Sequence, residues 1–354
     1  MTVLQLARRQ VGPGALRPVP VPVPAPEPAS ALVDTLGRRF RYLRLSVTDV
    51  CNFRCTYCLP DGWKKTGPSS FLTGEEIRRL AAGFVGMGVS KIRLTGGEPT
   101  VRRDFMDIVA GVAALPGLEK LAVTTNGWNL ARHAAAWRAA GLSHLNLSID
   151  SLDREVFARI TGHDRLPQIL DGLETALGLG YRGVKVNAVL LRETAEKGFD
   201  AWAEFVRERP VAVRFIELMR TGDNADYFAD QHVSGEVLRA WLQARGWTAT
   251  ARAADGGPAT EYRHPDYRGA LGLIAPYGPG FCDGCNRLRV TARGQLRLCL
   301  FGQGGFDLRP WLQSDADGEG LAEAVRDALT GKAAGHGLHA DDAGDTRNLS
   351  QFGG

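Results

Sequence analysis

The six cysteines of this 354-residue chain fall into two triplets with none left over, Cys51-x3-Cys55-x2-Cys58 and Cys282-x2-Cys285-x13-Cys299. The first lies in SVTDVCNFRCTYCLP, a stretch without histidine. A structural zinc site takes four ligands, the fourth normally Cys or His. The first histidine in the chain is His133, far from the first triplet, whereas His264 lies nearer the second. Zinc with a spatially remote fourth ligand therefore stays an alternative, chiefly at the second triplet. A cubane iron–sulfur cluster suits three thiolates better, because they hold three of its irons and leave the fourth open to an exogenous ligand. Disulfides would need an oxidising compartment and a leader with a continuous apolar segment, and the opening RPVPVPVPAPEPAS offers none. A cytoplasmic protein is expected.

A second set of residues suits an anion. Arg44 and Arg93 fall inside apolar strand patterns and Lys185 opens another, and a buried cation needs a partner. A triphosphate is one such partner, since Arg matches phosphate oxygens with parallel donors and Lys adds a point charge. The competing partners are carboxylates of the chain itself, Glu98, Asp150 or Glu217. In VRRD, Asp104 is expected to cap a helix, and Arg102 and Arg103 are divided between phosphate contact and simple solvation.

These residues must be positioned by regular elements. Short apolar runs at 42–47, 91–95, 120–124, 144–149, 184–191 and 211–218 predict six strands. Between them lie helical patterns, among them one starting after Thr73 with Glu76 closing a capping box and one ending at Gly141. Strands alternating with helices imply parallel βαβ units. The fold class is therefore α/β, an incomplete (β/α)6 barrel. Chemistry in such barrels sits at the carboxyl ends of the strands, where the cysteine loop, GGEPTVRRD, Asn126-Gly127, Ser148, Asp150, Lys185, Asn187, Glu217 and Met219 are expected to gather.

The expected organisation is a Pro-rich disordered extension at 1–36, the barrel at 37–222, a smaller α+β domain at 223–335 that covers the open mouth, and a Gly-rich tail at 336–354. The third of these should carry a helix near SGEVLRAWLQARG and a hairpin turning at Arg293 and Gly294. With 44% hydrophobic and 23% charged residues the balance is globular, and no apolar run is long enough to span a bilayer. A net charge of +4 is too diffuse to argue for nucleic acid but suits a small anionic substrate. The tryptophans are read as packing or rim residues, and no histidine is assigned to catalysis.

The CxxxCxxC spacing after a first strand, with Tyr57 just before the last cysteine, resembles the radical S-adenosylmethionine superfamily. The wider set RLSVTDVCNFRCTYC, IRLTGGEPTVRRD, TTNG, LNLSIDSLD, VKVNAV, RFIELM, FCDGCNRLRVTARGQLRLCL and the terminal Gly-Gly resembles, over about residues 38 to 354, the GTP 3',8-cyclase family of molybdenum-cofactor biosynthesis. That resemblance implies two [4Fe-4S] clusters, the first on Cys51, Cys55 and Cys58 and the second on Cys282, Cys285 and Cys299. It implies S-adenosylmethionine held by Tyr57, Gly97, Ser148 and Met219, and GTP facing Arg44, Arg93, Thr124, Lys185, Arg287, Leu288 and Arg289. In the implied lyase reaction a 5'-deoxyadenosyl radical takes the ribose 3' hydrogen of GTP. The carbon radical then closes onto carbon 8 of guanine, giving (8S)-3',8-cyclo-7,8-dihydroguanosine 5'-triphosphate. The resemblance also implies a reductant such as flavodoxin or ferredoxin, a downstream cyclic pyranopterin monophosphate synthase, a homodimer, and an accessory role for Gly353 and Gly354 in the active site. Two rival readings are a radical enzyme that matures a peptide with an auxiliary cluster, and a non-catalytic metal-binding scaffold.

Overall fold

A computed structural model of the chain describes residues 31–65, 70–252 and 256–351. The six expected strands are present as β1 (Tyr42–Ser46), β2 (Lys91–Thr95), β3 (Lys120–Thr125), β4 (His144–Ser148), β5 (Gly183–Leu190) and β6 (Ala212–Glu217). Each pairs in parallel with the next. The intervening helices are α1 (Gly74–Gly86), α2 (Phe105–Ala113), α3 (Leu130–Ala139), α4 (Arg154–Thr161), α5 (Leu166–Gly178) and α6 (Arg192–Arg207), followed by α7 (Ala225–Gln231), α8 (Gly235–Ala244) and α9 (Gly318–Thr330). The capping box forms, Thr73 N donating to Glu76 at 2.8 Å and Glu76 N to the Thr73 hydroxyl at 3.2 Å.

Strand residues alternate between two environments, as the pleat requires. Leu43, Leu45, Ile92 and Leu94 join the core under the helices, which turns Tyr42, Arg44, Lys91 and Arg93 to the other face, inside the curve.

The later strands are β7 (Thr248–Ala249), β8 (Thr260–Arg263), β9 (Ala270–Ile274), β10 (Arg287–Val290), β11 (Gln295–Arg297) and β12 (Phe306–Asp307). They do more than cover the mouth. β10 pairs in parallel with β1 and β9 in parallel with β6, so the C-terminal region supplies a parallel neighbour to each edge of the six-stranded unit. Edges that would otherwise be open for pairing are thereby closed. The order is β12-β11-β10-β1-β2-β3-β4-β5-β6-β9-β8-β7. The β10–β11 hairpin turns where expected, with Gly294 at φ +85° donating to the Thr291 carbonyl at 3.0 Å.

Packing reaches further toward the N-terminus than the expected boundary at residue 37. Leu32 and Phe40 are buried, Val33 bridges to Arg39, and Asp34 pairs with Arg38 at 2.7 Å. At the other end, Leu338, Thr346 and Leu349 are buried too, so residues 336–351 pack as part of the fold despite their glycines. The terminal Gly353-Gly354 and residues 1–30 of the Pro-rich stretch lie outside the described residues.

Candidate active site

Cys51, Cys55 and Cys58 line one cavity at the carboxyl ends of the parallel strands, together with Tyr57, Gly97, Ser148 and Met219. The cysteine loop is held by Phe53, whose ring packs edge-on against Trp128 and Phe157. It is also fixed by backbone bonds from Gly97 N to the Thr48 carbonyl (2.9 Å) and from Glu98 N to the Val50 carbonyl (2.8 Å). Here the glycines of GGEP find their reason. A Cβ on Gly96 would stand 2.2 Å from the Thr48 oxygen, and one on Gly97 would stand 2.4 Å from the Val50 oxygen. The backbone of the second strand's exit thus runs directly against the cysteine loop. Gly97→Ala is expected to cost roughly 1–3 kcal/mol of overpacking and to lower iron retention at the first triplet. The readout is iron per chain after anaerobic reconstitution of a variant whose distal cysteines are Ser; undiminished iron would mean the junction yields freely.

Burial raises Cys51 to about 11 and Cys58 to about 12, and burial with the charge of Asp150 raises Cys55 well above the usual thiol value. Such thiols ionise only when a cation compensates them. Among the described residues no three His, Cys, Asp or Glu side chains converge tightly enough to hold a single metal ion. Three thiols around one cavity fit a cluster that takes three thiolates and leaves one iron open. Asp150, raised by burial to about 6, accepts from the Tyr57 hydroxyl (3.0 Å) and from Val189 N (2.9 Å). Thr124 also lines this first cavity, its buried hydroxyl without a hydrogen-bond partner.

Cys282, Cys285 and Cys299 line a second cavity with Arg44, Arg93, Arg287 and Arg289. Asn187, Ile216 and Met219 belong to the walls of both, so the two triplets open toward a common partition. Strand register stacks the cations: Arg44 lies level with Arg289 on one side and Arg93 on the other, and Tyr42 level with Arg287 and Lys91. Burial, then Arg289, lowers Arg44 to about 9; burial lowers Arg93 and Arg289 each to about 10. Arg93 Nε, Arg287 Nε and Arg289 Nη1 are buried without a hydrogen-bond partner. The carboxylates that competed for these cations are engaged elsewhere. Glu98 accepts from Thr125 Oγ1 (2.8 Å) and Asn126 N (2.7 Å), Asp150 is bound as above, and Glu217 contacts His232 Nε2 at 3.0 Å. Leu288 turns its fully buried side chain into the hydrophobic core, which leaves only its backbone for a ligand.

Lys185 is displaced from the expected rim. It lies near the amino end of β5, and its ammonium pairs with Glu261 at 3.2 Å. It lines a third cavity, at the amino ends, with Lys91, Lys120, Arg93, Arg182 and Arg214. Arg93 and Arg214 reach both this cavity and the second one, so a cationic track connects them. Burial alone would raise Glu261, but hydrogen bonding from Arg214 and the charges of Lys185 and Arg214 bring it down to about 2. A depressed carboxylate contributes stability that is complete above its ordinary value of 4.5 and is lost as pH falls toward 2. Glu261→Gln is expected to flatten the acid-induced drop in Tm across that window; an unchanged pH profile would remove the role of this pair.

Asp104 makes no side-chain cap. Its carboxylate is taken by Arg102, which also donates to the Val47 (2.7 Å) and Leu72 (2.9 Å) carbonyls, so Arg102 is a brace under the cysteine loop. Arg103 is exposed. Lys91, Arg214, Tyr42, Lys332 and His336 are cavity residues that sequence reasoning missed. Lys91 and Tyr42 carried a local signal, standing two positions before Arg93 and Arg44 and hence on the same strand faces.

Fold and site together define a partial parallel barrel that aims two open cysteine triplets at one cation-lined interior. The Radical SAM superfamily family matches residues 45–206, and the Molybdenum Cofactor Synthesis C family residues 211–338. Proteins named GTP 3',8-cyclase are 54% identical in Stenotrophomonas maltophilia strain K279a (92% of this chain, 100% of that one), 54% in Synechococcus elongatus (91% and 99%) and 50% in Aeromonas hydrophila (92% and 96%). The crystal structure of Streptococcus suis SuiB bound to S-adenosylmethionine superposes with a TM-score of 0.56 at 13% identity, over 77% of this chain and 64% of that one, a likeness of fold. The chain belongs to the GTP 3',8-cyclase family of the radical SAM superfamily.

Proposed function

We propose that the protein is a GTP 3',8-cyclase, a lyase that converts GTP to (8S)-3',8-cyclo-7,8-dihydroguanosine 5'-triphosphate in the first step of molybdenum-cofactor biosynthesis. The observation that carries this reading is the pairing of two three-cysteine cavities across a shared wall, with stacked buried arginines in the second. Cys51, Cys55 and Cys58 would hold the first [4Fe-4S] cluster, and Cys282, Cys285 and Cys299 the second. When bound, the first cluster with S-adenosylmethionine supplies the 5'-deoxyadenosyl radical that takes the ribose 3' hydrogen.

The chain's own residues bind, orient and shield. Tyr57, Gly97, Ser148 and Met219 frame S-adenosylmethionine in the first cavity. Arg44, Arg287 and Arg289 surround the nucleotide near the second triplet, with the Leu288 backbone between them. Arg93, Lys185, Lys91 and Arg214 offer the track along which the triphosphate lies, an anchoring that holds the ribose in reach of the radical. Thr124, in the first cavity, is assigned to the ribose side of GTP. The walls exclude water and stray hydrogen donors, and Gly353 and Gly354 are assigned an accessory role in catalysis.

Among the described residues no helix is long and apolar enough to cross a membrane; a cytoplasmic location is part of the proposed reading. Flavodoxin or ferredoxin as electron donor, cyclic pyranopterin monophosphate synthase as consumer of the product, and a homodimeric state complete the reading. The test is anaerobic incubation with GTP, S-adenosylmethionine and a strong reductant, followed by mass spectrometry of the nucleotide. A 3',8-cyclised triphosphate is expected. 5'-Deoxyadenosine formed without any change in GTP would return the peptide-maturase reading.

A further inference from the structure

Lys332 follows α9 and is 6% exposed, an unusual place for an ammonium group. It lies in the wall of the second cavity beside Cys282, Cys285 and Cys299. Its Nζ donates to the carbonyl of Leu298, the residue before Cys299, and stands 5.3 Å from the centre of the Phe40 ring. Among the described residues no carboxylate forms an ion pair with it. Asp34, a carboxylate whose charge reaches it, is taken by Arg38 at 2.7 Å. Arg38 in turn donates to the carbonyls of Cys282 (3.3 Å), Ala333 (2.7 Å) and Ala334 (2.7 Å). One guanidinium therefore ties the first distal cysteine to the segment that carries Lys332, and the ammonium is tied to the backbone of the last. A buried lysine with a single oxygen acceptor is costly unless negative charge lies close by. Three cysteine sulfurs are the groups in the same cavity wall that can supply it.

We infer that Lys332 is the fixed counter-charge of the second iron–sulfur centre, a positioning residue that helps the distal triplet retain its cluster and favours the cluster's reduced form. The inference rests on the assignment of a cluster to Cys282, Cys285 and Cys299. Three thiolates outweigh the charge of an oxidised cubane core, and one-electron reduction adds another negative charge. A cation locked in the same cavity wall stabilises the reduced state more than the oxidised one. Net charge and hydrogen bonds to sulfur are the levers by which proteins set such potentials. Arg287 and Arg289 also bring positive charge to the distal cysteines, but they face the nucleotide, whereas the Lys332 ammonium is bonded to the backbone that carries Cys299.

The test uses the full chain with Cys51, Cys55 and Cys58 replaced by Ser, so that only the distal cluster is present. Reconstituted protein is titrated electrochemically without GTP and followed by electron paramagnetic resonance. Lys332→Met is expected to lower the reduced-to-oxidised ratio at fixed potential at least tenfold, about 59 mV for a one-electron couple. Lys332→Arg should stay within threefold of the parent. A loaded Lys332→Met protein with an unmoved ratio overturns the inference while leaving the cyclase reading intact; a parent that holds no distal cluster overturns both. Should Lys332→Met fail to retain iron, the thermal melt of the apo chain decides. An unchanged apo melt supports a charge role at the cluster, and an apo melt lowered together with iron loss shows a brace of the fold instead.

Discussion

Replacing Cys55 with Ser is expected to reduce S-adenosylmethionine cleavage to background, whereas replacing Cys299 with Ser should leave 5'-deoxyadenosine detectable and remove the cyclised nucleotide. The separation follows from the two cavities. Cys55 lies in the wall shared with Tyr57, Gly97, Ser148 and Met219, and Cys299 in the wall shared with Arg44, Arg287 and Arg289. A hydroxyl at position 55 removes one of only three thiolates that a buried, electron-accepting centre has available. The residues around it offer no substitute, since Asp150 is committed to Tyr57 and Val189 and Glu98 to Thr125 and Asn126. At position 299 the same change leaves the first cavity untouched and alters the side that faces the nucleotide. Both products are counted in one anaerobic reaction. GTP cyclised at the parent rate by the Cys299 variant would strip the distal triplet of its substrate role.

Much of this arrangement was legible in the sequence because it is local. Each of the six strands is a short apolar run between helical patterns, and Thr73 with Glu76 marks a helix start within four residues. The cysteine loops carry their ligands at fixed spacing, and Arg44 and Arg93 stand out as charges in apolar strands. What stayed hidden is long-range. Nothing near Arg44 announces that Arg289 will lie level with it, because that register exists only once β10 adds to the edge of β1. The partner of Lys185 is Glu261, on β8, and not one of the carboxylates that punctuate the barrel strands. Asp104 reads as a cap by position, yet Arg102 two residues earlier offers its carboxylate a charged partner in place of backbone N–H groups. Lys332 is a single lysine after a helix, and only the closing of residues 331–336 over the distal loop gives it a place beside sulfur.

The arginine level across β10, β1 and β2 carries the second large effect. Arg93→Met and Arg289→Met are each expected to weaken GTP binding by roughly 1.5–3 kcal/mol, the usual size of a lost hydrogen bond to a charged group, or about 10- to 150-fold in Kd. S-adenosylmethionine affinity should change little. The same substitutions should leave the melting temperature of the ligand-free protein unchanged or raise it. Like charges directly opposite on neighbouring strands destabilise a sheet, burial already lowers Arg93 and Arg289 to about 10, and an unbranched apolar side chain fills the space without asking for a counter-ion. Stabilisation by GTP scales with the logarithm of its saturation, so the ligand-induced rise in Tm at fixed GTP should shrink even as the starting Tm holds or climbs. Opposite movement of the two quantities is the signature of a cation kept for its substrate at the expense of the empty fold. A fall in apo Tm that matches the loss of GTP affinity would mean that these arginines brace the barrel wall, with the triphosphate held by Lys91, Lys185 and Arg214 alone.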